Sequence, residues 1–233
     1  MPFTFADLVQ LYEKKREKYS TQTYRYISGI LKEAKILHKG HFEGTDHEQS
    51  WRAFKGKNLE KLIVYILERE IRELGLELVQ GHNLERNSKL PHTLDRVKRN
   101  LVIDYGTHGM HLPDVDIIVF DPTDSYILAV LSVKVTLRER IAQTGYWKLK
   151  LSAGAVTKNI KVYFVTPDED GTLATRTPAK KGRAIVEVDT DGSYVMSEES
   201  IEESERVKTF DKLIADLRTL LDIKRKSSPK LEL

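Results

Sequence analysis

Asp114, Asp116, Ser132 and Lys134 have the types and spacing that metal-assisted hydrolysis needs. The two aspartates enter the otherwise apolar run Leu112-Pro113-Asp114-Val115-Asp116-Ile117-Ile118-Val119-Phe120 two positions apart. An extended chain therefore puts both on one face. The next apolar run, Ile127-Leu128-Ala129-Val130-Leu131-Ser132-Val133-Lys134-Val135, is interrupted only by Ser132 and Lys134, again two apart. Charges in such strands are costly unless they pair or hold a metal. Asp116 and Lys134 lie 18 positions apart, and Asp121-Pro122-Thr123-Asp124 between them has turn chemistry, so adjacent strands can bring them together. A hard cation such as Mg2+ takes carboxylate oxygens and leaves room for water and a phosphate. A lysine ammonium can orient or help deprotonate that water and offset developing charge. The chemistry would be phosphodiester hydrolysis.

The carbonyl of Val133 is an extra ligand at the strand end. Glu60, aligned by helical spacing with Ile63 and Leu67, is the candidate third carboxylate, pointed toward the core side. Each residue alone has a plainer role. Asp114 could be a turn residue after Pro113, Asp116 an edge-strand charge that blocks aggregation, Lys134 a strand-end lysine reaching solvent, and Glu60 a glutamate at an interface edge. Together, in this order, they favour a metal site, with Asp114 and Asp116 both standing as its main ligand.

Directly after the lysine comes Thr136-Leu137-Arg138-Glu139-Arg140. Arginine bonds guanine O6 and N7 in bidentate fashion, and glutamate accepts from cytosine N4, so the triplet can read adjacent G·C pairs in the major groove. Glu139 repels phosphate and so suits base reading better than backbone binding. In isolation the triplet would be a solvated helix start with an ion pair contributing about 0.3–0.5 kcal/mol.

The block from Ser132 through Gln143 resembles the Type II restriction endonucleases of the PD-(D/E)XK superfamily that read CCGG or closely related targets, the BsaWI type in particular. Several of those enzymes carry serine at the first acidic position, as in Ser132-Val133-Lys134, followed by an Arg-(Asp/Glu)-Arg element. The likeness is tight over residues 113–148. It implies an α/β fold, an α+β restriction-endonuclease-like core whose mixed central sheet is flanked by helices. It implies Mg2+-dependent cutting of double-stranded DNA at a CCGG-containing palindrome. Asp116 or Asp114 would then hold metal, Lys134 would be catalytic, and Arg138, Glu139 and Arg140 would read sequence. A palindromic target implies a homodimer or higher homo-oligomer. Relatives with Ser-x-Lys often place a compensating glutamate farther along the next helix. Here Thr144-Gly145-Tyr146-Trp147-Lys148 offers no acid, so Glu60 is assigned that part, as some relatives use an acid on the preceding helix. The doubled aspartate is a second departure. A repair nuclease of the same fold that ignores sequence, or a DNA-binding regulator or inactive relative, would use the same strands.

These residues need a scaffold, and hydrophobic periodicity outlines one. Residues 3–39 read as helix, followed by a break from His38 to Thr45. A second long helix over 48–74 carries Leu59, Leu62, Ile63, Ile66, Leu67 and Ile71 and stops at Gly75. Strands are expected at 76–79, 98–105, 115–120, 126–135 and 160–166, a helix at 137–151, a hairpin of 184–188 with 194–196, and a final helix over 201–224. The expected division is a helical N-terminal lobe at 1–45, the nuclease core at 46–226 and a loose tail at 227–233.

Bulk composition is permissive. Of 233 residues, 40% are hydrophobic and 31% charged, so the chain can build one substantial core. It has no cysteine, which excludes disulfides and thiolate metal sites and fits a cytoplasmic setting. No apolar run reaches the roughly 18–20 residues of a membrane span. Met1-Pro2-Phe3-Thr4 lacks the basic and apolar stretches of a signal peptide, so secretion is not expected. A net charge of +3 neither favours nor excludes DNA, because acidic ligands can mask a basic groove. No phosphate-binding glycine motif is present, so a nucleotide cofactor has no support. The basic run 96–99 and the pair Lys180-Lys181 could touch phosphates but read first as solvated surface, and His108 with His111 reads as a loop approaching DNA or solvent rather than as a His-x-x-His metal pair.

Overall fold

The computed structural model describes residues 2–87, 89–137 and 140–227. Helix α1 (Phe5–Tyr19) starts where Asp7 accepts the Thr4 N–H at 2.7 Å, a cap that satisfies an otherwise orphaned donor. Residues 3–39 do not form one helix. Ser20 takes φ +49°, which helical geometry does not allow, and a 3-10 stretch (Ser20–Tyr26) separates α1 from α2 (Ile27–Gly40). Helix α3 (His47–Glu73) is capped by Asp46, which accepts the Gln49 N–H at 2.9 Å. As the periodicity predicts, it buries Leu59, Leu62, Ile63, Leu67 and Ile71.

Strand β1 (Glu77–Gln80), helices α4 (Gly81–Arg86) and α5 (His92–Leu101), and a two-stranded ribbon of β2 (Ile103–Asp104) and β3 (Met110–His111) follow. Next come β4 (Ile117–Asp121), β5 (Tyr126–Val133), α6 (Arg140–Ala153) and β6 (Lys161–Thr166). The chain continues through α7 (Lys181–Asp189), β7 (Gly192–Val195), β8 (Val207–Thr209) and α8 (Leu213–Ser227). The main sheet has the order β1-β4-β5-β6-β7-β8. Its first three strands are antiparallel, and β5 to β8 run parallel. It is a mixed sheet in an α/β fold.

Side chains alternate across it. Ile117, Val119, Leu131, Val133 and Val165 join the buried cluster of α1, α2, α3 and α8. Ile118, Phe120, Val130 and Val162 face α4, α5 and α6, and Phe164 packs with α6 and α7. Burial on both faces explains why the central strands read as near-continuous apolar runs.

Several expected elements are otherwise. The strand expected at 98–105 is the end of α5 followed by β2. Val97 and Leu101 are buried one helical turn apart, and Asp95 pairs with Arg99 at 2.5 Å across an i,i+4 step. The expected hairpin is instead α7 followed by β7, and β7 pairs parallel to β6. Ala184-Ile185-Val186-Glu187-Val188 has strand-like composition, but the fully buried Arg183 fixes a helix. Its guanidinium donates to the carbonyls of Leu173 and Glu202 and to Glu187 one turn on. The helix expected over 201–224 begins only at Leu213, because Glu203 accepts the Thr209 N–H at 2.8 Å and folds the preceding segment into a turn before β8.

Candidate active site

The site lies where the start of β4 meets the end of β5. Asp116 directly precedes β4, and its backbone is fixed on both sides. Its N–H donates to the Leu131 carbonyl at 3.2 Å, and its carbonyl accepts the Gly81 N–H at 3.0 Å. Lys134 directly follows β5 and donates its backbone N–H to Val165 at 3.1 Å. The two side chains meet at 2.6 Å, Lys134 Nζ to Asp116 Oδ2, and the same oxygen accepts the Val133 N–H at 2.6 Å. Their side chains are only 10% (Asp116) and 21% (Lys134) exposed, enough burial for such a pair to be held firmly.

Glu60 comes from α3, between the core residues Leu59 and Ile63. Burial, and then the negative charge of Asp116, push its carboxyl up to about 7, against the pull of Lys134. Two carboxyl groups this close cannot both ionise cheaply. Asp114 is exposed and accepts from Gln143 Nε2 of α6 at 2.7 Å. Asp114, Asp116 and Glu60 line both a groove of about 740 Å³ and an adjoining cavity of about 170 Å³. Val133, Lys134 and Arg140 line the groove too.

Ser132 is elsewhere. It is buried on the α6 side of the sheet, where its hydroxyl accepts from Thr144 Oγ1 at 3.2 Å, and it lines neither cavity. Arg140 is exposed at the start of α6. Arg138 and Glu139 lie outside the described residues. Sequence reading gave no part to Gln143, nor to Arg52, Lys57, His82 and Arg86, which also line the groove. Lys57 could have been found from its place one helical turn from Glu60, but nothing local in the sequence points to Arg86.

Among the described residues no three histidine or acidic side chains converge tightly enough to form a ready metal cluster. The donor set nonetheless suits a hard divalent cation. It offers only oxygens, and a cation would relieve the burial and the negative charge of Asp116 that raise the Glu60 carboxyl.

The mixed sheet flanked by helices is a restriction-endonuclease-like α/β fold. The fold agrees with the crystal structure of a specific restriction endonuclease AgeI–DNA complex (TM-score 0.54, 14% identity, 91% of each chain). In sequence, residues 93–216 match the family described as BsaWI restriction endonuclease type 2. A Methanocaldococcus jannaschii protein named "Putative type II restriction enzyme MjaVIP" is 36% identical over 214 residues, covering 89% of this chain and 90% of its own. A Helicobacter pylori "Probable type II restriction enzyme" is 32% identical over 174 residues, covering 74% of this chain and 84% of its own. The chain belongs to the BsaWI restriction endonuclease type 2 family and is a Type II site-specific deoxyribonuclease.

Proposed function

We propose that this endonuclease cuts both strands of DNA at a CCGG-containing palindrome, as a homodimer or higher assembly, with Mg2+ held by Asp116, Glu60, Asp114 and the Val133 carbonyl. The observation that carries the reading is the Asp116–Lys134 contact at 2.6 Å beside a Glu60 whose carboxyl titrates near 7. When bound, the cation supplies Lewis acidity and an activated water. The chain supplies the rest. The Val133 N–H fixes the rotamer of Asp116. Lys134 carries a positive charge to the edge of the groove, where it orients the attacking water and offsets charge on the phosphate. Glu60 gives up its proton when the site loads, as ligand carboxylates must.

Arg138, Glu139 and Arg140 are the assigned base readers. The Asp114–Gln143 hydrogen bond supports this, because it ties the helix that begins at Arg140 to the segment carrying Asp116. Base reading and hydrolysis would then share one rigid frame. Ser132 stands at the first acidic position of the motif, where several related enzymes also carry serine. With its hydroxyl taken by Thr144, we assign it to holding α6 on β5 rather than to the metal. Digestion of a sequenced plasmid with and without Mg2+ tests the reading. It predicts discrete Mg2+-dependent fragments whose ends map to CCGG. Fragments that map to another sequence, a smear without fixed ends, or intact plasmid would overturn it.

A further inference from the structure

One glycine, Gly56, lines the groove and another, Gly81, lines the adjoining cavity, and only Gly81 is explained by the fold. A side chain on Gly81 would collide with the Val115 carbonyl, so that position is glycine because α4 lies tight against the Asp114–Asp116 segment. Gly56 is different. It sits within α3, one helical turn before Glu60, and a Cβ there meets nothing within 4 Å. Glycine inside a helix weakens it, and no contact in the chain requires it at this point. Its bare surface faces the groove, beside Lys57 of α3 and opposite His82 and Arg86 of α4.

The cations there are not balanced locally. Lys55 pairs with Glu169 at 3.6 Å, whereas Lys57 and Arg86 form no ion pair among the described residues. His82 registers the result. Its imidazole is pushed down by burial first, then by Arg86, Lys57 and Lys61, with Glu85 pulling the other way. Positive charge gathered from two separate elements, next to a helix stripped of its side chain, suits a polyanion that must come close to the helix backbone.

We propose that the α3–α4 wall of the groove is the track for the sugar–phosphate backbone of the strand to be cut, with Lys57 and Arg86 as phosphate contacts and Gly56 as the point of closest approach. The Gly81 N–H bond to the Asp116 carbonyl couples this wall to the site, so the track delivers the backbone to Asp116 and Lys134. The inference rests on the proposed placement of the chemistry at that pair, and its test is binding rather than cutting.

Equilibrium binding to a short duplex of arbitrary sequence is measured in EDTA between about 50 and 200 mM salt. Lys57→Gln and Arg86→Gln should each flatten the slope of log K against log salt by about 1. Gly56→Leu should weaken binding by about tenfold or more with no fall in Tm, since leucine is the better helix former. Arg69→Gln and Arg72→Gln, at the far end of α3 and paired with Glu73 and Glu68, should leave the slope unchanged. Wild-type affinity and slope in Gly56→Leu, Lys57→Gln and Arg86→Gln, or an equal loss in the Arg69 and Arg72 variants, would overturn the track. If Lys134→Ala still bound the duplex like wild type but did not cut it in Mg2+, the chemistry at Asp116 and Lys134 would stand without the track. A wild type that binds no duplex removes both.

Discussion

Strand β4 has an aspartate–lysine pair at each end, and the two differ in everything except the contact. At one end Lys134 Nζ lies 2.6 Å from Asp116. At the other, Lys224 Nζ of α8 lies 2.5 Å from Asp121 and 2.7 Å from Asp124. The Asp121 end is closed. Its carboxylate also accepts the Thr123 N–H at 2.9 Å and the Thr123 hydroxyl at 2.6 Å. Burial works against its ionised form, but Lys224 and Thr123 outweigh it, so Asp121 titrates below its ordinary value. The Asp116 end opens on a groove and includes a second buried acid, Glu60, which the lysine does not neutralise. The contact distance alone therefore does not separate the proposed site from the structural pair; the open groove and the raised Glu60 beside Asp116 are what support the proposal.

That contrast can be broken at several points. The largest effect should come from Asp116→Asn, which is expected to lower single-turnover cleavage by about 10²–10³-fold with little change in Tm. Asp121→Asn should leave the rate per folded molecule unchanged, and a parallel loss there would erase the distinction. Next, Lys224→Ala leaves the buried Asp121 carboxylate without its cation and should cost about 3 kcal/mol, a Tm loss of roughly 6–12 °C, again without slowing the folded enzyme. The pH dependence follows from the directions of the shifts. Asp121 is lowered from 3.8, so its contribution is present above that value and fades as pH falls through the folded pKa. Lys224 is raised from 10.5, so its contribution is present below that value and fades as pH rises through the folded pKa. The Tm gap between wild type and Lys224→Ala should be widest between those limits and close outside them.

Glu60 should behave in the opposite way. Its carboxyl is raised from 4.5 to about 7, so the metal-free protein loses stability as pH climbs through that range. Glu60→Gln should match wild type in Tm near pH 4 and exceed it at pH 8 by about 2–4 °C, while losing cleavage. Identical Tm profiles for the two would mean that neither burial nor Asp116 strains the ionised Glu60. The smallest effect belongs to Ser132→Ala, which removes one buried hydrogen bond and should cost about 0.5–1.5 kcal/mol. A loss of cleavage far beyond that loss of stability would return Ser132 to the reacting groups.

The Asp116–Lys134 pair was legible because both residues break apolar runs on strands that are neighbours in sequence as well as in space. Glu60 could be named because its helical register with Ile63 and Leu67 turned it inward. Arg86 and His82 gave no such signal, since α4 is short and its position depends on Gly81 packing against Val115. The same divide runs through the fold. Local periodicity located α3, β4, β5 and β6. It failed for 184–188, where a buried arginine overrides strand propensity, and for 201–212, where turn hydrogen bonds interrupt the chain before α8.

The most direct test of the central claim is Lys134→Ala, assayed on a CCGG-containing duplex for binding in EDTA and for single-turnover cleavage in Mg2+. Retained binding with cleavage abolished is the predicted result. Cleavage at the wild-type rate would contradict it and remove the assigned active site.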